Sequence, residues 1–339
     1  MAGRLLIVST AFHGIWRSVA DAFEQHGWHV SSHLYDDYPN LPAKVRNKLA
    51  YELPARLGRS TLDRRRARTG EAAARAVRSL APDAVLVIKG DVLGDAFWDS
   101  LDDRRLPRAT WLYDQLDAMH YGEAGTSLSR LGGIATFSRS DTQRLVEGGL
   151  IASHVHLAFD PSFQPRGERQ RGVVFVGARY PSREELLLRV QAAGVPVRAY
   201  GRSWSHHPVD RLRTWEVRRP AIPAGRELPR SDAHRVMEAA DATVNVHGSQ
   251  DGYTLRTFEA SGIGAVHLID RPDVSDLYEP GEEILVYDSA EDLIDLCRRA
   301  AFDHAWAERI RQRGRARTLA EHTFAHRAGV IQGLLLPPS

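Results

Sequence analysis

Hydrophobic and polar positions fall into two runs of the same kind. Residues 5–9 (LLIVS) are a short apolar strand, and residues 10–14 are a turn of mostly small residues. Ile15, Val19, Ala22 and Phe23 then recur at helical spacing up to His26. Gly27 closes that helix, and residues 28–34 alternate like a second strand. Strand, loop, helix and strand make a βαβ opening, though the loop lacks the G-x-G-x-x-G fingerprint of dinucleotide binding. Residues 84–88 (AVLVI), introduced by Pro82 and Asp83, have the β-branched content of a buried parallel strand. Residues 110–113 and 134–137 are two more, the first followed by Asp114. A helix over 141–147 is stopped by Gly148 and Gly149, and 154–157 is a last short strand.

Residues 160–171 (DPSFQPRGERQR) are rich in Pro, Gly and charge and read as an interdomain linker. The second run has a strand at 172–176, a loop at 177–181 and a helix at 182–193 capped by Ser182. A strand at 195–200 ends at Gly201, and 204–228, with three prolines, reads as a loop. A helix at 231–240 leads to a strand at 242–246 that runs into His247. Strands at 266–269 and 284–287 and a helix at 291–300 follow, and the tail 305–336 is mostly helical with a break near 323–326. The expected class is α/β, with two parallel-sheet halves whose strand carboxyl ends face across a cleft.

One stretch between those later elements carries concentrated chemistry. DGYTLRTFEASGIG (251–264) holds Asp251, Glu259 and Arg256 around a helix that starts near Thr254. The first turn of a helix offers unpaired amides and a partial positive charge, which favour phosphate. Carboxylates beside it suit sugar hydroxyls, because an ionised carboxylate only accepts hydrogen bonds. Phosphate plus polyol is the chemistry of a nucleotide sugar. A capped helix with an i,i+3 ion pair between Arg256 and Glu259 accounts for the same residues. In the first half, His13 and Gly14 lie outside the carboxyl end of the first strand.

Composition narrows the choices. A chain of 339 residues is long for one core, and a formal charge of +2 argues against wholesale nucleic-acid binding. The one cysteine, Cys297, excludes a disulfide framework and a cysteine metal cluster, and fits a reducing cytoplasm. MAGRLLIVST turns polar too soon for a signal peptide, and no apolar run reaches the roughly 18 residues of a membrane helix. Lys44, Lys48 and Lys89 are the only lysines, so beyond residue 90 a cationic phosphate ligand must be Arg or His. Arg56, Arg59, Arg64, Arg65, Arg66 and Arg68 form a basic run on a helix continuing to Leu80, either a solvated face or a surface for an anionic acceptor. P-loop, His-Glu-x-x-His, Asp-x-Asp and Gly-x-Ser-x-Gly patterns are absent, and His154 with His156 makes only half a zinc site.

VVFVGARYPSREELL, VRAYGRSW, TVNVH and DGYTLRTFEASGIGAVHLID resemble the C-terminal half of the CgeB-like (spore-maturation type) glycosyltransferases. TWLYDQLD and FSRSDTQRLVEGGL with HLAFDPSFQP match the layout of their first half. These belong to the retaining glycosyltransferases of GT-B fold, with two Rossmann-like domains. The resemblance implies an acceptor domain over 1–160, a linker over 161–171, a donor domain over 172–323, and a final helix from about 324 to 336 that crosses back to the first domain. It implies no cofactor and no metal, with a UDP-, GDP- or dTDP-linked sugar as co-substrate. The acceptor is then a small molecule, a glycan or a lipid-linked compound, with no nucleic-acid partner and no stable membrane insertion.

The resemblance also implies residue roles. Glu259 would meet the ribose hydroxyls. Asp251, at a position where the family usually has Glu, or the amides near Gly252, Tyr253, Thr254 and Leu255, would face the sugar or diphosphate. Arg179 matches the family's diphosphate arginine, with Gly177 before it, and Arg183 lies one residue short of its lysine. Tyr200, Gly201 and Arg202 resemble the loop under the nucleobase, and His247 is a further donor-binding candidate. Without a metal, charge on the leaving β-phosphate would be met by Arg179, Arg183, Arg256 and a helix end. His13 and Asp114 are the acceptor-side candidates, one of them the base if the reaction inverts. An epimerase or hydrolase on the same fold, and a non-catalytic nucleotide-sugar binder, are the alternatives.

Overall fold

The computed structural model describes residues 3–37, 61–121, 127–216, 218–247 and 251–336; Arg56 and Arg59 of the basic run lie outside the described residues. Contacts divide the chain into two compact units, Met1–His156 with Phe324–Ser339, and Leu157–Thr323.

The first unit is built on a parallel sheet of β1 (Arg4–Ser9), β2 (His29–Leu34), β3 (Ala84–Ile88), β4 (Arg108–Leu112), β5 (Gly133–Thr136) and β6 (Ala152–His154), in the order β2-β1-β3-β4-β5-β6. Every residue of β3 is buried, as its unbroken apolar run requires when helices cover both faces of a sheet. The helices are α1 (Ile15–Gln25), α2 (Leu62–Leu80), α3 (Asp95–Asp102) and α4 (Arg139–Glu147). The sequence reading passed over α3, an eight-residue helix that packs Phe97, Trp98 and Leu101 into the core. Ser138 caps α4, its hydroxyl accepting from the Asp141 amide at 3.0 Å.

The second unit repeats the plan with β7 (Gln170–Val176), β8 (Val197–Tyr200), β9 (Ala224–Gly225), β10 (Ala240–Asn245), β11 (His267–Ile269) and β12 (Leu285–Val286), all parallel, in the order β12-β11-β10-β7-β8-β9. Its helices are α5 (Pro181–Ala192), α6 (Pro208–Thr214), α7 (Arg230–Ala239), α8 (Leu255–Gly262), α9 (Ala290–Phe302) and α10 (His304–Glu321).

Several expected boundaries move. Ser182 does not cap α5: Tyr180 holds the N-cap position and Pro181 opens the helix, where its missing N–H costs nothing. The segment 204–228 contains α6 and β9 rather than loop alone. The charged stretch 160–171 packs on the second unit, with the Gly167 amide 2.8 Å from Glu238 Oε1, and its last residues already belong to β7.

A last helix, α11 (Phe324–Leu335), belongs to the first unit. Phe324 meets Trp111 edge to face at 6.0 Å, and Ala325 O lies 2.9 Å from His26 Nε2. In each sheet strand order reverses once, between β1 and β3 and between β7 and β10. Open α/β sheets bind ligands outside the strand carboxyl ends at such a point. Because Phe324 is fully packed, Phe324→Ala should destabilise the protein by about 3–5 kcal/mol, read as an earlier denaturant midpoint.

Candidate functional site

At the β7/β10 reversal two loops leave the sheet side by side, Gly177–Arg179 after β7 and Val246–His247 after β10. Arg183, in the first turn of α5, ties them together. Its Nε donates to Val246 O at 3.1 Å, its Nη2 to the same oxygen at 2.5 Å, and its Nη1 to Ala178 O at 3.0 Å. The guanidinium also lies 4.8 Å from the centre of the Tyr180 ring. No ion pair engages Arg183 among the described residues, and burial pulls its pKa below the usual arginine value. A half-buried cation held by carbonyl dipoles and ring faces, with no carboxylate in contact among the described residues, is a charge still able to meet an anion.

Arg179, the other expected phosphate ligand, sits differently. Its fork is filled by two carboxylates, Glu184 and Glu216, each at 2.7 Å, while its amide donates to Ser203 Oγ at 3.0 Å. The guanidinium is therefore neutralised within the protein and is not presented as a charge for phosphate. Tyr200, Gly201 and Arg202 follow at the end of β8. A Cβ on Gly201 would lie 2.4 Å from Gly177 O, so only glycine lets these two loops meet. Trp204 Nε1 donates to that same carbonyl at 3.0 Å. Arg202 is paired with Glu227.

The stretch 251–264 enters α8 through a turn in which Asp251 is half-buried and Gly252 takes φ +75°. Gly252 O accepts from Arg271 Nη1 at 3.3 Å, and the Arg271 guanidinium stacks 4.9 Å from the centre of the Tyr253 ring. Thr254 holds the N-cap position without a side-chain cap, so the first-turn amides of Leu255 and Arg256 keep no acceptor inside the helix. The Thr254 amide donates to His247 Nε2 at 3.4 Å, and Thr257 Oγ1 lies 3.1 Å from the same nitrogen. The backbone amide of His247 donates to Asp270 Oδ1 at 2.9 Å, and its Nδ1 lies 3.4 Å from that oxygen.

Behind this runs a buried polar chain. Asn245 Nδ2 reaches Thr257 Oγ1 at 3.3 Å and His267 Nε2 at 3.4 Å, and Ser261 Oγ lies 3.0 Å from His267 Nδ1. Burial, aided by the nearby His247 and Arg256, pulls the His267 pKa down to about 3, so its ring is neutral. The sequence reading missed Thr257, Ser261, His267 and Asp270. The one available signal was a histidine inside the apolar run AVHLI.

Glu259 does not lie open to a ribose. It is 2% exposed, with Oε1 taken by Arg230 Nε at 2.7 Å and His234 Nε2 at 3.1 Å, and Oε2 by Arg256 Nη1 at 2.8 Å. Burial alone would raise its pKa, but Arg256, His234 and Arg230 outweigh that and hold the carboxyl well below the usual range. Its evident work is to fix Arg256, which stays partly exposed. Arg230 and His234, 29 and 25 residues upstream, carry no sequence signal of this contact.

In the first unit, His13 is exposed in the turn after β1, with φ 48°, followed by Gly14 at φ 68°. Lys89, the residue after β3, has φ 67°, and its Nζ pairs with Asp114 Oδ2 at 2.6 Å beyond the end of β4. Left-handed non-glycine residues thus follow both strands of the β1/β3 reversal, the kind of strain found at ligand sites. Lys89 is the residue here that sequence reasoning did not single out. Among the described residues no three His, Cys, Asp or Glu side chains form a group able to hold a metal ion.

Residues 179–333 match the family model described as glycosyl transferase-like. No curated protein matches. Among solved structures, sucrose-phosphate synthase from Thermosynechococcus elongatus superposes with TM-score 0.63 at 15% identity, over 98% of each chain. HepE from Anabaena, in complex with UDP-glucose, gives TM-score 0.63 at 13% identity, over 98% of this chain and 99% of that one. A putative UDP-N-acetylglucosamine 2-epimerase from Listeria monocytogenes gives 0.54 at 11%, over 98% and 95%. The fold is GT-B, and with a glycosyl transferase-like domain over 179–333 the enzyme class is glycosyltransferase.

Neutral His267 gives a pH signature. Its folded pKa lies below the ordinary 6.5, so the stability it contributes is complete above 6.5 and is lost as pH falls toward 3. Urea melts should therefore show wild type losing more stability than His267→Gln across that window.

Proposed function

We propose that this chain is a metal-independent, CgeB-like glycosyltransferase that takes a sugar from a nucleoside-diphosphate donor held at the β7/β10 reversal. The observation that carries the reading is Arg183: a cation without a carboxylate partner among the described residues, where the fold binds ligands. The unpaired amides of Leu255 and Arg256 supply a second positive focus, and Arg256, fixed by Glu259, a third.

Breaking the bond between sugar and diphosphate leaves negative charge on the β-phosphate. Preset cations and amides stabilise that charge without reorganising during the reaction. In this reading Arg183 and the start of α8 receive the diphosphate. Tyr200, Gly201 and Arg202 border the base, and Asp251 borders the sugar. Retention needs no strong protein base, because the leaving phosphate can take the acceptor's proton. His13 and the Lys89–Asp114 pair of the first unit are then candidates to bind the acceptor, a small molecule, glycan or lipid-linked compound whose hydroxyl attacks the anomeric carbon. Localisation in the cytoplasm is part of the same proposal; no helix among the described residues is long and apolar enough to cross a membrane. An epimerase would need a side chain free to move a proton at the sugar, and the buried His247 already has its Nε2 bonded by the Thr254 amide and set against Thr257 Oγ1.

Thermal shifts and titrations with UDP, GDP and dTDP test the reading. One of them should raise the melting temperature with and without EDTA. Arg183→Ala should weaken that nucleotide roughly 10- to 150-fold, the worth of charge-assisted hydrogen bonds, while Arg179→Ala should weaken it far less. An unchanged affinity in Arg183→Ala would remove the diphosphate from this position.

A further inference from the structure

Helix α6 (Pro208–Thr214) is amphipathic in the wrong direction for a soluble domain. At about 100° per residue, Asp210 and Thr214 share one side and Leu212 points away from it. The side that turns inward is the polar one. Asp210 is buried and bonded by Arg226 at 2.8 and 3.2 Å, and Thr214 Oγ1 donates back to Asp210 O at 3.0 Å. The outward crest is apolar: Leu212 is 68% exposed, Val209 45%, and Trp215, just past the helix end, 69%. Trp215 adopts φ 58°, a left-handed conformation that a bulky residue seldom takes without a reason. Arg211 and Arg213 flank the crest on either side of Leu212, and Arg218 follows; all three are exposed, and none forms an ion pair among the described residues. The acidic residues nearby are already spent inside the unit, Asp210 on Arg226 and Glu216 on Arg179 and Arg219.

We propose that this face docks the second unit on an anionic lipid surface, with Val209, Leu212 and Trp215 entering the headgroup layer and the arginines meeting lipid phosphates. An apolar crest with cations along both flanks matches a partner whose charged layer overlies an apolar one. A second copy of the same face would bring two sets of uncancelled arginines together. A nucleic-acid backbone would satisfy the arginines and leave Leu212 and Val209 with nothing to bury against. The contact is peripheral and reversible, since one short crest supplies little apolar area. It stands apart from the donor-site reading, because no residue proposed to touch the nucleotide takes part.

The test is co-sedimentation of the full chain with vesicles of phosphatidylcholine alone and of phosphatidylcholine with phosphatidylglycerol. The expected result is binding to the anionic vesicles, weakened by salt. Leu212→Gln with Trp215→Ser should lower it by roughly tenfold, and Arg211→Gln with Arg213→Gln by more, at about fivefold per arginine. Melting temperature and nucleotide affinity should stay at wild-type values, which separates lost docking from lost folding. Brominated lipid should quench wild-type tryptophan emission, and the quenching should fall in Trp215→Phe. Three outcomes overturn the proposal: no binding by the wild type; binding that keeps its strength without Leu212 and Trp215, which would make the face a general polyanion site; or vesicle-free self-association that Leu212→Gln abolishes, which would make it an interface between copies.

Discussion

The second unit depends on a positive charge that forms no ion pair among the described residues. Arg183 spends its hydrogen bonds on the carbonyls of Val246 and Ala178, and so laces the loop after β10 to the loop after β7. Those bonds fix the guanidinium in place without giving it a carboxylate in direct contact, and Asp270 acts on it only from a distance. A charge kept partly out of water without a counter-ion is costly, and the surrounding packing must bear that cost. The close approach of Gly201 to Gly177 O and the Trp204 indole bond to the same carbonyl tighten the loop from the other side.

The polar chain under α8 serves the same end. Asp270, His247, Thr257, Asn245, His267 and Ser261 join β10, β11 and the loops beyond them to the helix through specific, directional contacts. Buried polar groups that are satisfied rigidify the region they occupy. The consequence is a helix start whose free amides hold a set position relative to Arg183. Glu259 extends the arrangement by clamping Arg230, His234 and Arg256 around one carboxylate.

How much of this was legible depended on the range of the interaction. The two α/β runs were readable because β-branched runs such as AVLVI and helical spacing are local signals, and the GT-B arrangement came from the resemblance of the motifs to a known family. That Arg183 and the entry to α8 come soon after strands β7 and β10 was legible for the same reason. The pairing of Arg179 was not legible, because Glu216, its second partner, lies 37 residues away and nothing local announces it. The burial of Glu259 among cations was not legible, because Arg230 and His234 come from another helix. The short α6 was hidden because its apolar residues face outward, so its period carries no core-facing stripe. In the first unit the Lys89–Asp114 pair, 25 residues apart, was equally invisible.

The return of α11 to the first unit has a consequence for biosynthesis. The second unit lies in the chain between the two parts of the first. As the chain leaves the ribosome, Leu157–Thr323 therefore has all of its strands and helices before the unit that began earlier has its own. Until Phe324–Leu335 emerges, Trp111 lacks its ring partner and His26 the carbonyl of Ala325. The order of completion is thus the reverse of the order of synthesis, and the earlier unit must wait, with part of its core open to water, for the last turns of helix to be made.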